Sequence, residues 1–278
     1  MEDGRDRVRT HREPIFNLPA VVLAAVVVLF GIYAVQDYWP DLNVTLLREF
    51  SFVPGRFTVA FDPSAIAASL DAAQTRGAAY GEVARFFLGN GRPLWWTPIT
   101  YAFLHASFLH VGFNCLWLVA FGTPVARRFG VSRFLLFCLF TAVAGALAHY
   151  VAHMADLQPV IGASAVVSGL MAAAVRFVFQ PFVPVGERTE SPDLNGRIPV
   201  YWQPALPLRS IVTSRPAMAF LFAWFFANLL FGLAPQLAGF AGATIAWQAH
   251  IGGFVIGLLA FRWFDPPAPD FLLDNEAA

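Results

Sequence analysis

Apolar runs of about 20 residues, the length a helix needs to cross a bilayer, recur along the chain and limit what it can become. They fall at 15–38, 99–122, 133–154, 160–180, 216–234 and 243–264. The runs are continuous rather than alternating, which argues against a transmembrane β-barrel. Charged residues make up 13% of the chain, about half the share of a soluble domain, and the mean hydropathy is +0.59. The expected fold is an all-α membrane protein, a single domain of six transmembrane helices over 15–264. A cytoplasmic N-terminal segment, 1–14, precedes it, and a cytoplasmic tail, 265–278, follows. The tail is acidic and rich in proline, and reads as disordered. A net charge of zero offers nothing toward nucleic acid, and the expected surroundings are the lipid bilayer itself.

Arginine placement orients the spans. Four arginines lie in 1–14, Arg127, Arg128 and Arg133 lie between spans two and three, and Arg188, Arg197, Arg209 and Arg215 follow span four. All three groups fall on the cytoplasmic side if the chain starts inside and crosses six times. The 39–98 connection is then extracytoplasmic. It is read as irregular, with an amphipathic helix around 64–88 and Trp95-Trp96 anchoring the start of span two at the interface. The 181–215 connection, with six prolines, reads as an extended, mobile cytoplasmic loop. The first apolar run has no small-residue cleavage pattern after it and reads as a retained span. Cys115 and Cys138 lie inside spans, which gives no disulfide framework.

Polar residues in such runs are costly and mark function by default. Spans two, four and six descend toward arginines that can snorkel to the inner interface. Ser164 and His250 each stand 12 residues before one, Arg176 and Arg262, which is about 18 Å along a helix. Asn114 precedes Arg127 by 13 residues, about 20 Å by the same rise. His110 is one turn higher on the same helix face. In a hydrocarbon core roughly 30 Å thick, all four sit between the midplane and the outer surface. A lone serine in a membrane helix is usually a packing residue. A serine, two histidines and an asparagine at one depth on three parallel-running helices is a different observation.

The residue types suit acyl transfer. A serine hydroxyl becomes a nucleophile when a base takes its proton, and histidine is the usual base. The oxyanion that forms needs donors already in place. Asn114 and His110 can supply them, as can backbone N–H groups if a helix starts at Ser164. No Asp or Glu lies at this depth and the chain has no lysine, so a two-residue Ser164–His250 dyad is the economical reading. His250 is followed by Gly253 and Gly257, a small-xxx-small face that lets helices approach closely. Gly169 and Ala173 repeat the spacing on span four. Ser168, one turn below Ser164, is the alternative nucleophile.

At these residues the chain resembles the rhomboid family of intramembrane serine proteases. The resemblance covers roughly 95–264. It rests on Gly162–Ser164, on His110 and Asn114 with His105 five residues earlier, and on His250 with Gly253 and Gly257. It implies a six-helix rhomboid-like bundle, a Ser164–His250 dyad, an oxyanion site involving His110 and Asn114, and cleavage of transmembrane protein substrates near their outer ends. It implies no metal or cofactor. The expected location is multi-pass in the bacterial inner membrane. Three positions depart from the family pattern. Ala165 stands where Gly is usual, Ser168 where an aromatic residue often stacks on the catalytic histidine, and Trp96-Thr97 where Trp-Arg is common.

Other readings fare worse. His149 and His153 are two ligands at most, with no H-E-x-x-H, which disfavours a metalloprotease. A transporter would show charges within spans or paired broken helices. A catalytically silent rhomboid-like protein that binds membrane helices is the alternative that Ala165 and Ser168 leave open.

Overall fold

The computed structural model describes residues 18–180, 200–233 and 246–267. The 1–14 segment, most of the 181–215 connection and all but the first residues of the tail lie outside the described residues. The helices, in chain order, are α1 (Ala20–Tyr38), α2 (Pro40–Phe50), α3 (Pro54–Thr58), α4 (Pro63–Thr75), α5 (Ala78–Leu88), α6 (Thr97–Thr100), α7 (Phe108–Trp117), α8 (Thr123–Ala152), α9 (Ser164–Val178), α10 (Leu208–Ile211), α11 (Arg215–Leu233) and α12 (Trp247–Phe264). Among the described residues the only β pairing is an isolated antiparallel bridge, Phe52 to Val160. The all-α expectation holds.

Among the described residues, two helical runs are long and apolar enough to cross a bilayer, Ala20–Tyr38 and Phe108–Ala152, and α9 is a shorter apolar helix. The second run is not straight. It widens to a π turn at Leu118–Gly122 and breaks at Gly130, whose φ of 72° and ψ of 170° are not helical. Phe129 and Phe137 pack with ring centroids 5.3 Å apart. In an uninterrupted helix, eight residues would separate them by about 12 Å, so the limbs on either side of Gly130 fold back on each other. Glycine suits the left-handed backbone that this reversal requires.

Several boundaries differ from the sequence reading. The second run was expected to turn helical at 99, but α7 starts at Phe108. Ser107 fixes that start, its hydroxyl accepting from the His110 N–H at 3.2 Å, a side-chain N-cap. Residues 101–103 form only a short 3-10 turn. The 39–98 connection is not irregular. It holds α2 to α5, and the single helix expected at 64–88 is two helices divided at Gly77, where φ is +138°. Arg56, only 3% exposed, organises the region from within. Its guanidinium donates to the carbonyls of Phe87 and Arg48, each at 2.5 Å, and burial lowers its pKa from the ordinary arginine value. Trp96 Nε1 donates to the Glu49 carbonyl at 2.8 Å, while the neighbouring Trp95 is exposed.

The core lies where α8, α9 and α12 meet, and α9 is its axis. Ala172, Ala173, Ala174, Val175 and Phe177 are all essentially fully buried. An apolar helix closed off on every side is a central element rather than an amphipathic surface one. Small residues make the enclosure tight. A Cβ on Gly257 would lie 2.6 Å from Gly169 Cα, and one on Gly145 would lie 2.9 Å from the Ala249 carbonyl oxygen.

Two regions read as mobile or disordered prove to be tied down in part. Residues 200–215 dock against the bundle, with Gln203 and Ile211 buried. Asp265, the first residue of the tail, accepts from Arg128 Nε at 2.5 Å and Nη2 at 3.0 Å. Arg128 also donates to the carbonyls of Gln203 at 2.6 Å and Tyr201 at 3.1 Å. Its guanidinium lies 4.8 Å from the Phe177 ring centroid. Arg176 joins the cluster, donating to the Leu206 carbonyl at 2.7 Å.

Candidate active site

Ser164 is the first residue of α9. The chain reaches it through an extended segment held on both sides. Phe52 and Val160 exchange backbone hydrogen bonds of 3.1 and 2.8 Å, and the Gly162 N–H donates to the Tyr101 carbonyl at 2.9 Å. Tyr101 is itself buried, with its hydroxyl on the Ala142 carbonyl at 2.9 Å. Gly162 has φ +117°, a backbone that glycine tolerates and other residues rarely adopt. The reversal there lets α9 begin at Ser164. The first intrahelical bond runs from the Val167 N–H to the Ala163 carbonyl at 2.9 Å, so the N–H groups of Ser164 and Ala165 belong to the unpaired first turn.

His110 and Asn114 stand beside this turn. A Cβ on Gly162 would lie 2.7 Å from His110 Nε2, so a glycine is what lets that ring come this close, with Asn114 Nδ2 at 3.9 Å from the same point. Asn114 is buried and donates one amide hydrogen to the His110 carbonyl at 3.0 Å. The Ala106 N–H donates to His110 Nδ1 at 3.4 Å. A neutral imidazole that accepts at Nδ1 carries its proton on Nε2, the nitrogen nearer Gly162. His105 is buried with its ring 4.9 Å from His110, and its Nε2 accepts from the Ala163 N–H at 3.4 Å. That bond uses an N–H which would otherwise be free to serve an oxyanion. The His105 N–H in turn donates to Oε1 of buried Gln36 on α1 at 3.0 Å.

His250 lies in the first turn of α12. Helices α9 and α12 cross where a Cβ on Gly253 would lie 2.8 Å from the Ala165 carbonyl carbon. The small residues read from the sequence are therefore the contact itself, one residue past Ser164 and three past His250. Among the described residues no hydrogen bond joins Ser164 to His250. His250 Nδ1 is instead 2.5 Å from Asn228 Oδ1 on α11, a partner that the sequence reading overlooked. Asn228 is the one amide or charged side chain between Pro216 and Ala234, and the criterion that singled out Ser164 applies to it equally. Ser168 is buried at 3% exposure, whereas Ser164 is half-buried. His149 and His153 stack 4.8 Å apart, and Gln248 Nε2 lies 2.7 Å from His153 Nε2.

Comparison with known proteins identifies the family of the chain. The family model described as Rhomboid domain matches residues 92–264. The chain is 29% identical over 168 residues to proteins named Rhomboid protease GlpG from Yersinia pestis and Yersinia pseudotuberculosis, covering 60% of this chain and 48% of theirs. It is 34% identical over 95 residues to Rhomboid protease GluP of Bacillus subtilis, covering 34% of this chain and 18% of that one. The chain thus spans about half the length of the GlpG relatives it matches, or less for GluP. With more than half of its residues inside the family match, this chain belongs to the rhomboid family, a family of integral membrane proteins.

Proposed function

We propose that the protein is an intramembrane serine endopeptidase of the bacterial inner membrane. In this reading six helical segments cross the bilayer: α1, the two limbs of 108–152, α9, α11 and α12, with both termini cytoplasmic. Ser164 Oγ attacks the scissile carbonyl of a transmembrane protein substrate as His250 Nε2 takes its proton. The oxyanion is received by His110 Nε2–H, the Asn114 amide and first-turn N–H groups of α9. His250 then returns the proton to the departing amine, and water releases the acyl group from Ser164 by the same steps in reverse order.

The observation that carries this reading is the crossing of α9 and α12 at Ala165 and Gly253, which brings the turn bearing Ser164 against the turn bearing His250. The preparation of the serine's surroundings supports it. Gly162, His110 and Asn114 converge on one side of the turn, and α9 starts at the serine itself.

A fluorophosphonate probe on the protein in liposomes tests the reading together with cleavage of a tagged single-span substrate. Labelling and cleavage are expected in the parent and absent in Ser164→Ala and His250→Ala. A parent that binds the substrate helix but neither labels nor cleaves it would favour the catalytically silent binder instead.

A further inference from the structure

We propose that Asn228 is a positioning residue that locks the His250 imidazole in the tautomer protonated on Nδ1, so that Nε2 presents a lone pair. The inference rests on His250 acting as the base in the proposed protease, and it adds a fourth helix, α11, to the machinery on α7, α9 and α12.

The argument runs from one carbonyl. Asn228 Nδ2 donates to the Trp224 backbone carbonyl at 2.8 Å. A carbonyl can only accept, so this contact fixes which end of the amide is nitrogen and turns Oδ1 toward His250. Oδ1 is also purely an acceptor. The nitrogen 2.5 Å away, His250 Nδ1, must then carry a hydrogen. A neutral imidazole has one such hydrogen, and Nε2 is left as the acceptor. A base that takes a proton from a serine hydroxyl needs this tautomer. The proton it gains leaves an imidazolium whose Nδ1–H still faces an acceptor. An amide oxygen, like a carboxylate oxygen, can accept from that cation, and the amide does so without itself becoming charged.

The contact is braced. Trp224, one turn before Asn228, stacks on Phe254, one turn after His250, with centroids 4.5 Å apart and planes at 23°. The two helices are therefore joined at both ends of a short ladder, with aromatic rings below and a hydrogen bond above. Asn228 is 13 residues past Arg215, about 20 Å along α11, which matches the height estimated for Asn114 above its own arginine.

The test combines a spectroscopic readout with kinetics. Protein carrying 15N-histidine is placed in phosphatidylethanolamine–phosphatidylglycerol liposomes at alkaline pH. The His250 imidazole signals are assigned by their loss in His250→Gln. The parent should show protonated Nδ1 and bare Nε2. Asn228→Leu should mix the tautomers and lower kcat roughly 10- to 100-fold, a share of what a general base contributes, with KM little changed. Asn228→Asp keeps an acceptor and should restore both tautomer and rate. A parent with hydrogen on Nε2, a leucine variant with unaltered tautomer and kcat, or an aspartate variant as impaired as the leucine one would each overturn the proposal. If the tautomer responds as expected but the parent cleaves nothing, the protease reading falls and the positioning contact stands. If the parent cleaves and Asn228→Leu cleaves equally well, the positioning role falls and the protease reading stands.

Discussion

The two ends of the bundle solve opposite problems. At the end bearing Arg128, Arg176 and Asp265, the two arginines are tied to backbone carbonyls and a carboxylate. Arg128 alone makes four hydrogen bonds to three residues and lies over aromatic rings. At the end bearing Ser164 the helices meet through glycine and alanine backbones, and the polar side chains hold only part of their bonding capacity. Asn114 uses one amide hydrogen internally, and its second has no hydrogen bond among the described residues. His250 uses Nδ1. An end tied together by its arginines holds the fold, and an end with spare donors and acceptors is fit to receive a substrate. Rate and stability should therefore separate along the long axis of the molecule.

Substitutions can break or sharpen that contrast. The largest effect is expected from Ser164→Ala, which should reduce cleavage of the tagged substrate by about 10⁴-fold or more while leaving the melting temperature in detergent unchanged. If this variant still cleaves and Ser168→Ala does not, the nucleophile is misassigned. Arg128→Ala should do the reverse. It leaves Asp265 without its hydrogen-bond partner and four aromatic or carbonyl contacts unmade, at a cost of about 3–5 kcal/mol. Thermal melting should fall steeply, and the protein that stays folded at low temperature should keep the parental kcat. A loss of kcat with an unaltered melting temperature would abolish the division between the ends.

Asn114→Ala removes one of the proposed oxyanion donors and should lower kcat roughly 10²- to 10³-fold, read in the same cleavage assay, with a small change in melting. Gly257→Ala probes the seam between the two ends. Its Cβ would meet Gly169 at 2.6 Å, so the overpacking should cost about 1–3 kcal/mol. Because α9 and α12 carry both members of the proposed dyad, it should lower melting temperature and cleavage rate together. A Gly257→Ala variant with normal stability and normal rate would mean that the crossing has slack.

What could be read in advance was local. Ser164, His250 and the glycines after it stand out because each is an exception within its own apolar run, and spacing of three or four residues places them on one face without knowledge of the partner. Asn228 met the same standard and was passed over, since no motif surrounded it. The lock in the first connection was not legible for a different reason. Arg56 binds the carbonyls of Arg48 and Phe87, 8 and 31 residues away, and a backbone carbonyl leaves no mark in the sequence. The pairing of Arg128 with Asp265 joins two side chains that the sequence shows, but at 137 residues apart no local spacing links them. The start of α7 was legible at Ser107, a good N-cap, but the apolar residues from 99 onward masked it.

The bridge between Phe52 and Val160 carries a practical lesson. Four peptide bonds separate Val160 from Ser164, and its bridge partner Phe52 belongs to the 39–98 connection. Trimming 39–98 to obtain a smaller catalytic unit would remove a wall of the very segment that sets the serine in place. Inactivity of such a truncation would then report a slackened hydroxyl rather than a missing docking surface for clients.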